Sequence, residues 1–364
     1  MKILEEYRDP GTVGRLADSI ARTVTKPWRL MEVCGGQTHS ILEHGIDSLL
    51  PSVVRLVHGP GCPFCVTPAR MIDTAAGIAC RQEAVVCTFG DMLRVPGGAT
   101  DLMAARSAGG DVRIVYSPMD ALSMAMADPS REYVFFAVGF ETTVPATATA
   151  VLGARSGGTG NFSVLDAHVR VPPAIESILS MPGVSVHGVL AAGHVCAVTG
   201  YAEYETMAAR HSTPIVVTGF EPVDIMQGIL MCCSMLEAGE ARVENQYARV
   251  VRRDGNPAAM EIARTVFEHA DADWRGIGII PGGGWAFRPE YRDFDAASRF
   301  GVAPASPGRG DGICRAAEVL TGALEPGGCP AFGGECTPAS PLGAPMVSSE
   351  GACAAFFRYR GGGG

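Results

Sequence analysis

The chain has 364 residues, more than one hydrophobic core usually serves, so two or three domains are expected. Hydrophobic residues make up 47% and charged residues 18%, which excludes a mainly disordered chain. The formal charge of −9 argues against nucleic acid or an anionic membrane as a partner.

The opening MKILEEYRDP carries acids where a signal peptide carries bases, and no apolar run approaches the roughly 20 residues that cross a bilayer, so a cytoplasmic protein is expected. Apolar, β-branched runs then follow one another: WRLMEV (28–33), SVVRLVHG (52–59), AVVCTFG (84–90), VRIVYS (112–117), YVFFAVGF (133–140), SVHGVLAAG (185–193), PIVVTGF (214–220) and GIGIIPGG (276–283). Helix-like stretches lie between many of them, at 68–83, 145–154, 173–181 and 221–239. This alternation predicts an α/β fold of mostly parallel sheet covered by helices on both faces.

Two of the strands end in Gly-Phe-Glu, at 139–141 and 219–221, an echo that points to two related α/β domains. The glycine-rich stretch 153–161 marks the expected passage between them, giving a first domain over 1–152 and a second over 153–282. Beyond it, glycines, scattered prolines and four cysteines replace the regular alternation. A small C-terminal domain over 283–364, held by a metal rather than by a large core, is expected there, with the terminal RYRGGGG as a frayed tail.

Twelve cysteines in a reducing compartment read as metal ligands or redox thiols rather than as a disulfide framework. Ligands of open α/β sheets bind beyond the carboxyl ends of the strands, and reactive residues gather there. Cys34 and His39 follow WRLMEV, Cys62 and Cys65 follow SVVRLVHG, and Asp91 follows AVVCTFG. Glu141 follows YVFFAVGF, His194 and Cys196 follow SVHGVLAAG, and Glu221 follows PIVVTGF.

Thr67 as N-cap and Pro68 at the first helical position would set Cys62 and Cys65 at a helix N-terminus, whose dipole favours thiolate. The pair is then either a dithiol–disulfide couple or two soft metal ligands. Cys34 sits in a loop whose glycines allow close backbone approach to a ligand, and thiolate sulfur suits iron. His194 and Glu141 are read either as participants or as ordinary strand-end and helix-start residues. Cys80, Cys87, Cys232 and Cys233 fall in apolar stretches and are read as core thiols, with Cys196 left between the two classes.

In the C-terminal region Cys314, Cys329, Cys336 and Cys353 are spaced C-x14-C-x6-C-x16-C. Four thiolates there enclose either a 4Fe-4S cluster or a structural zinc, and the spacing does not choose between them. No G-x-x-x-x-G-K-[ST] phosphate loop, strand-linked G-x-G-x-x-G or C-x3-C-x2-C occurs.

Several segments resemble signatures of the HypD family of NiFe hydrogenase maturation factors: MEVCGGQTHS (31–40), GPGCPFCVTP (59–68), GFETTVPATA (139–148), AAGHVCAVTG (191–200), VTGFEPVDIMQGI (217–229), ENQYARVV (244–251), WRGIGIIPGGG (274–284) and the cysteine-rich 329–355. The resemblance implies two related α/β domains, a C-terminal domain holding a 4Fe-4S cluster, and a complex with HypC on which the Fe(CN)2CO group of the hydrogenase large subunit is assembled, with cyanide delivered by HypE. It implies that Cys34 binds that iron, that Cys62 and Cys65 are a redox pair, that Cys314, Cys329, Cys336 and Cys353 hold the cluster, and that His194 and Glu141 occupy functional positions. Pro345 stands where some relatives carry cysteine, which leaves these four as the cluster set. The expected protein is a scaffold with a redox role rather than a conventional turnover enzyme. The rival reading is a thiol–disulfide oxidoreductase with an iron–sulfur centre, for which Cys62 and Cys65 suffice and Cys34 is idle.

Overall fold

The structure is a computed structural model, described here for residues 5–302 and 313–361. Its strands, β1 (Trp28–Glu32), β2 (Val54–His58), β3 (Ala84–Thr88), β4 (Val112–Ile114), β5 (Glu132–Gly139), β6 (Phe162–His168), β7 (Gly188–Ala192), β8 (Ile215–Thr218), β9 (Val243–Asn245), β10 (Phe267–Trp274) and β11 (Gly278–Phe287), form two parallel sheets and one antiparallel hairpin. The first sheet has the order β2-β1-β7-β8-β9 and the second β4-β3-β5-β6, with β10 and β11 paired to each other. The α/β class with mostly parallel sheet is as the alternation of runs and helices predicts. Among the described residues no helix is long and apolar enough to cross a membrane.

Burial on both faces explains why the strands read as continuous apolar runs rather than alternating ones. In the second sheet Val85, Cys87, Tyr133, Phe135 and Ala137 pack to one side, and Val86, Val134, Phe136 and Val138 to the other. In the first, Leu30, Leu190 and Val216 face a core that includes Val13, Ile20, Ile225 and Ile229 of the helices Pro10–Thr23 and Pro222–Ala238. Met31, Val189, Ala191 and Val217 face the opposite side. Cys87, Cys232 and Cys233 are core thiols as expected, but Cys80 is exposed. The helix Ala69–Ala79 stops just before it, so Cys80 is a C-cap rather than part of the apolar face.

The chain threads the sheets in an order the sequence does not announce. It lays down β1 and β2 in the first sheet, builds all of the second with β3 to β6, then returns to the first with β7 to β9. The expected division at 152/153 lies within the part of the chain that builds the second sheet. It falls inside the helix Val144–Gly157, and β6 beyond it pairs with β5 from Tyr133↔Phe162 to Gly139↔His168. The glycine-rich stretch is the last turn of that helix and its αL cap at Gly158. The Gly-Phe-Glu echo is real in another sense, since β5 and β8 end in it, one in each sheet.

The expected boundary at 282/283 likewise falls inside β11. Beyond β11 the described chain has short helical turns and a small core of Ala331, Cys336, Met346 and Ala354. The terminal tail is not frayed as far as Gly361. Tyr359 Oη bonds His39 Nε2 at 3.1 Å, and Arg360 pairs with Asp47, so this turn is fastened to the first part of the chain. Residues 362–364 lie outside the described residues.

Phe135 is fully buried on β5, between β3 and β6. Phe135→Ala should lower the free energy of unfolding by about 3–5 kcal/mol. Equilibrium urea unfolding checks this, and a loss below about 1 kcal/mol would show that β5 is not the packed centre of its sheet.

Candidate functional site

All strands within each sheet are parallel, so each sheet presents its carboxyl ends along one edge, and the two edges meet at a cavity of about 490 Å³. The first sheet contributes Cys34 after β1, Gly61 and Phe64 after β2, His194 after β7 and Phe220 after β8. The second contributes Phe89 after β3 and Phe140 and Thr143 after β5. Glu350, from the C-terminal region, closes the wall. The lining is rich in aromatic carbon with few polar groups, which is the usual make-up of a ligand site.

Cys34 is the N-cap of the helix Gly35–Glu43, and its side chain makes no capping bond, which leaves the sulfur to the cavity. His194 opens the helix Gly193–Thr199, and its Nδ1 lies 3.8 Å from Cys34 Sγ. Burial pushes the Cys34 thiol up to about 12, and the carboxylates of Glu32 and Glu350 push it the same way. Burial pushes His194 down to about 4. At neutral pH the pair is therefore an uncharged thiol beside an uncharged imidazole, not the thiolate that the loop sequence alone suggests.

Cys62 and Cys65 are joined in a disulfide. Cys62 is the N-cap of a one-turn helix, Pro63–Val66, with Pro63 at its first position, and the longer helix starts at Ala69 with Pro68 as its cap. Both sulfurs are buried behind the cavity wall, which their neighbours Gly61, Pro63 and Phe64 form. The loop reaches Cys34 directly: Gly35 N–H donates to Gly61 O at 2.9 Å, and a Cβ on Gly61 would lie 2.3 Å from Cys34 N.

Glu141 does not line the cavity. It is buried behind β5, where Oε1 accepts Val171 N–H at 2.9 Å and Oε2 has no hydrogen-bond partner. Burial, only partly offset by Val171 N–H and Arg170, pushes its carboxyl up to about 7. Cys196, also buried, lies within electrostatic reach of Glu141 and Cys34, so it belongs with the back of the site rather than its rim. Glu221 is not among the cavity-lining residues and pairs with Arg8.

Cys314, Cys329, Cys336 and Cys353 line one separate small cavity of about 20 Å³, together with Phe332, Pro345 and Met346. Among the described residues no carboxylate lines it. Leu342 N–H donates to Cys336 Sγ at 3.4 Å, and a Cβ on Gly343 would lie 2.3 Å from Cys314 Sγ, so the glycine makes room for that sulfur. Burial and the other three thiols push Cys353 up. Among the described residues no three His, Cys, Asp or Glu side chains converge closely enough to hold a single metal ion.

Three residues here were not anticipated. Glu32 ends β1 and His58 ends β2, and a polar residue directly after the apolar residues Leu30–Met31 and Leu56–Val57 was the available signal. Glu350 lies in Ser-Ser-Glu-Gly between two cysteines, where nothing in the pattern marks it.

A family model named HypD and described as "Hydrogenase formation hypA family" matches residues 12–360. The chain is 45% identical over 373 residues to the hydrogenase maturation factor HypD of Rhodobacter capsulatus, with 99% of each chain covered. It is 45% identical over 368 residues to the hydrogenase maturation factor HypD of Escherichia coli, covering 99% of this chain and 98% of that one. To that of Rhizobium leguminosarum it is 44% identical over 374 residues, covering 99% and 96%.

The buried acid makes the electrostatics behind the cavity measurable. Glu141 titrates near 4.5 when unfolded and near 7 when folded, so the stability it contributes is complete below about pH 4.5 and is lost as pH rises through 7. Glu141→Gln keeps an acceptor for Val171 N–H and cannot ionise. It should match the parent near pH 4.5 and exceed it by as much as about 3 kcal/mol above pH 7. Urea unfolding across that range reads the difference, and a gap independent of pH would contradict the raised value.

Proposed function

Since the chain belongs to the HypD family of hydrogenase maturation factors, we propose that it is a scaffold on which, with HypC, the Fe(CN)2CO group of the NiFe hydrogenase large subunit is assembled, Cys34 holding the iron. The observation that carries this reading is that Cys34 opens onto the cavity where both sheet edges meet, with His194 at 3.8 Å and the Cys62–Cys65 disulfide in the adjoining loop.

Iron is the cargo here, and a sulfur that takes a cation gives up its proton. His194, uncharged at neutral pH, stands where it can accept that proton, and Glu350 lies on the same wall. The four phenylalanines of the lining keep water from the group while cyanide, delivered by HypE, and carbon monoxide arrive. Opening the Cys62–Cys65 disulfide takes up two electrons and two protons, and closing it returns them, so the pair is placed to exchange electrons beside the thiol that holds the iron.

Cys314, Cys329, Cys336 and Cys353 would hold a 4Fe-4S cluster, which supplies single electrons when bound. The donor set supports this, because four thiols face one apolar space, no carboxylate among the described residues lines it and one sulfur already accepts an N–H. A general thiol–disulfide oxidoreductase fits less well, since both disulfide sulfurs are buried from a protein substrate.

Cys34→Ala should abolish the iron–cyanide and iron–carbonyl infrared bands of the protein purified with HypC, while leaving iron in the C-terminal region unchanged. Bands of undiminished strength would overturn the role of Cys34. Cys336→Ala should instead remove the broad visible absorption and most of the bound iron, and zinc recovered in its place would overturn the cluster.

A further inference from the structure

We propose that Glu32 is a positioning residue for Cys34, with His58 and Thr38 holding its carboxylate in place. The proposal deepens the reading of Cys34 as the iron-holding thiol, and it concerns how the chain fixes that thiol before anything binds.

Glu32 is the last residue of β1 and is fully buried at the end of the run Trp28–Met31. A carboxylate in such a place is costly unless its oxygens are bonded. Here its hydrogen bonds lead either to the Cys34 loop or to the strand beside it. Oε2 accepts Cys34 N–H at 2.9 Å. Oε1 accepts the hydroxyl of Thr38, in the helix that Cys34 caps, and bonds His58 Nδ1 at 2.6 Å. Thr38 N–H donates to Cys34 O at 3.0 Å, so the peptide groups on both sides of the Cys34 Cα are held.

His58 is the residue in register with Glu32 on the neighbouring strand, which places the imidazole against the carboxylate without any loop having to adapt. The edge of the Phe356 ring packs on His58 with centroids 5.1 Å apart. His58 also lines a second cavity, of about 320 Å³, so the brace extends from the Cys34 loop to the far side of β2. Neither Glu32 nor His58 lines the main cavity, which distinguishes them from residues that would touch iron. A carboxylate that merely needed satisfying could take its donors from anywhere; this one takes one from Cys34 itself and another from the helix Cys34 begins.

The test alkylates the full chain with iodoacetamide under anaerobic conditions and follows each cysteine by peptide mass spectrometry. Cys87, on β3, and Cys232, on the helix Pro222–Ala238, are buried in different cores and serve as internal references. Glu32→Ala and His58→Ala should each raise the Cys34 rate by at least about tenfold and leave both references unchanged, as expected for a local opening. His58→Gln, whose amide can still donate to the carboxylate, should return the rate to within about threefold of the parent. Thr38→Val, nearly isosteric, should show a smaller rise of the same kind and serves if an alanine variant does not fold. An unmoved Cys34 rate, a rise shared by Cys87 and Cys232, or no recovery in His58→Gln overturns the proposal. The rate reads the thiol without iron, so its outcome is separate from whether Cys34→Ala loses the infrared bands.

Discussion

Everything at the site depends on two loops touching at their backbones. β1 and β2 are adjacent and parallel, so the chain leaves both at the same edge, and Gly61 lies so close to Cys34 that a methyl group there would sit 2.3 Å from its nitrogen. The residue after Gly61 is Cys62. A sheet neighbour and one missing side chain therefore carry the disulfide to the thiol, with no long-range device required. On the other flank a Cβ on Gly35 would lie 2.5 Å from the Glu350 backbone, so the C-terminal segment seats against the same loop. Cys34 is held between these contacts, and the freedom that glycine usually confers is here used up by close approach.

The thiol and the imidazole that face each other in the cavity are both uncharged at rest. The Cys34 thiol is pushed up to about 12, His194 down to about 4 and the Glu141 carboxyl up to about 7, each chiefly by burial. A group of this kind has little to attract water or ions at rest, and a divalent cation entering it meets a sulfur that can be deprotonated and an imidazole that can be protonated. Glu32 stands apart: its carboxylate is fully buried and bonded to Cys34 N–H, Thr38 and His58. It lies behind the thiol and not in front of it, so it constrains the backbone without offering the cavity a competing ligand.

The strands that could be read from the sequence are those buried on both faces, because their apolar runs are unbroken. Those that escaped are at edges or in the hairpin. β6 carries Ser163, Asp166 and His168, and the last two bond each other at 2.5 Å, a pairing that only the fold creates. β10 reads FEHADADW, with charges facing solvent, and β9 is only three residues long. The order in which strands join sheets was not readable at all, since pairing β1 with β7 is a matter of tertiary packing. That is why strand-end residues were identified correctly while the boundary at 152/153 was drawn through a helix. Cys34 and His194, 160 positions apart, meet because β1 and β7 are neighbours in one sheet. Glu141 belongs to the other sheet and turns away from them.

The C-terminal region shows how a segment with little core of its own is kept in place. Its apolar cluster is small, so much of its attachment comes from contacts with the helix that Cys34 begins and with the strand beside it. Phe356 packs on His58, Tyr359 bonds His39 and Arg360 pairs with Asp47, all within a few residues of Cys353. Under the proposed reading, a group held by Cys353 and its three companions would order the very turn that buttresses His58, and through Glu32 the backbone of Cys34. The sulfurs that would hold the resident cofactor and the sulfur that would hold the cargo iron are thus joined by a short chain of packed rings and hydrogen bonds, each link of which lies on a named side chain.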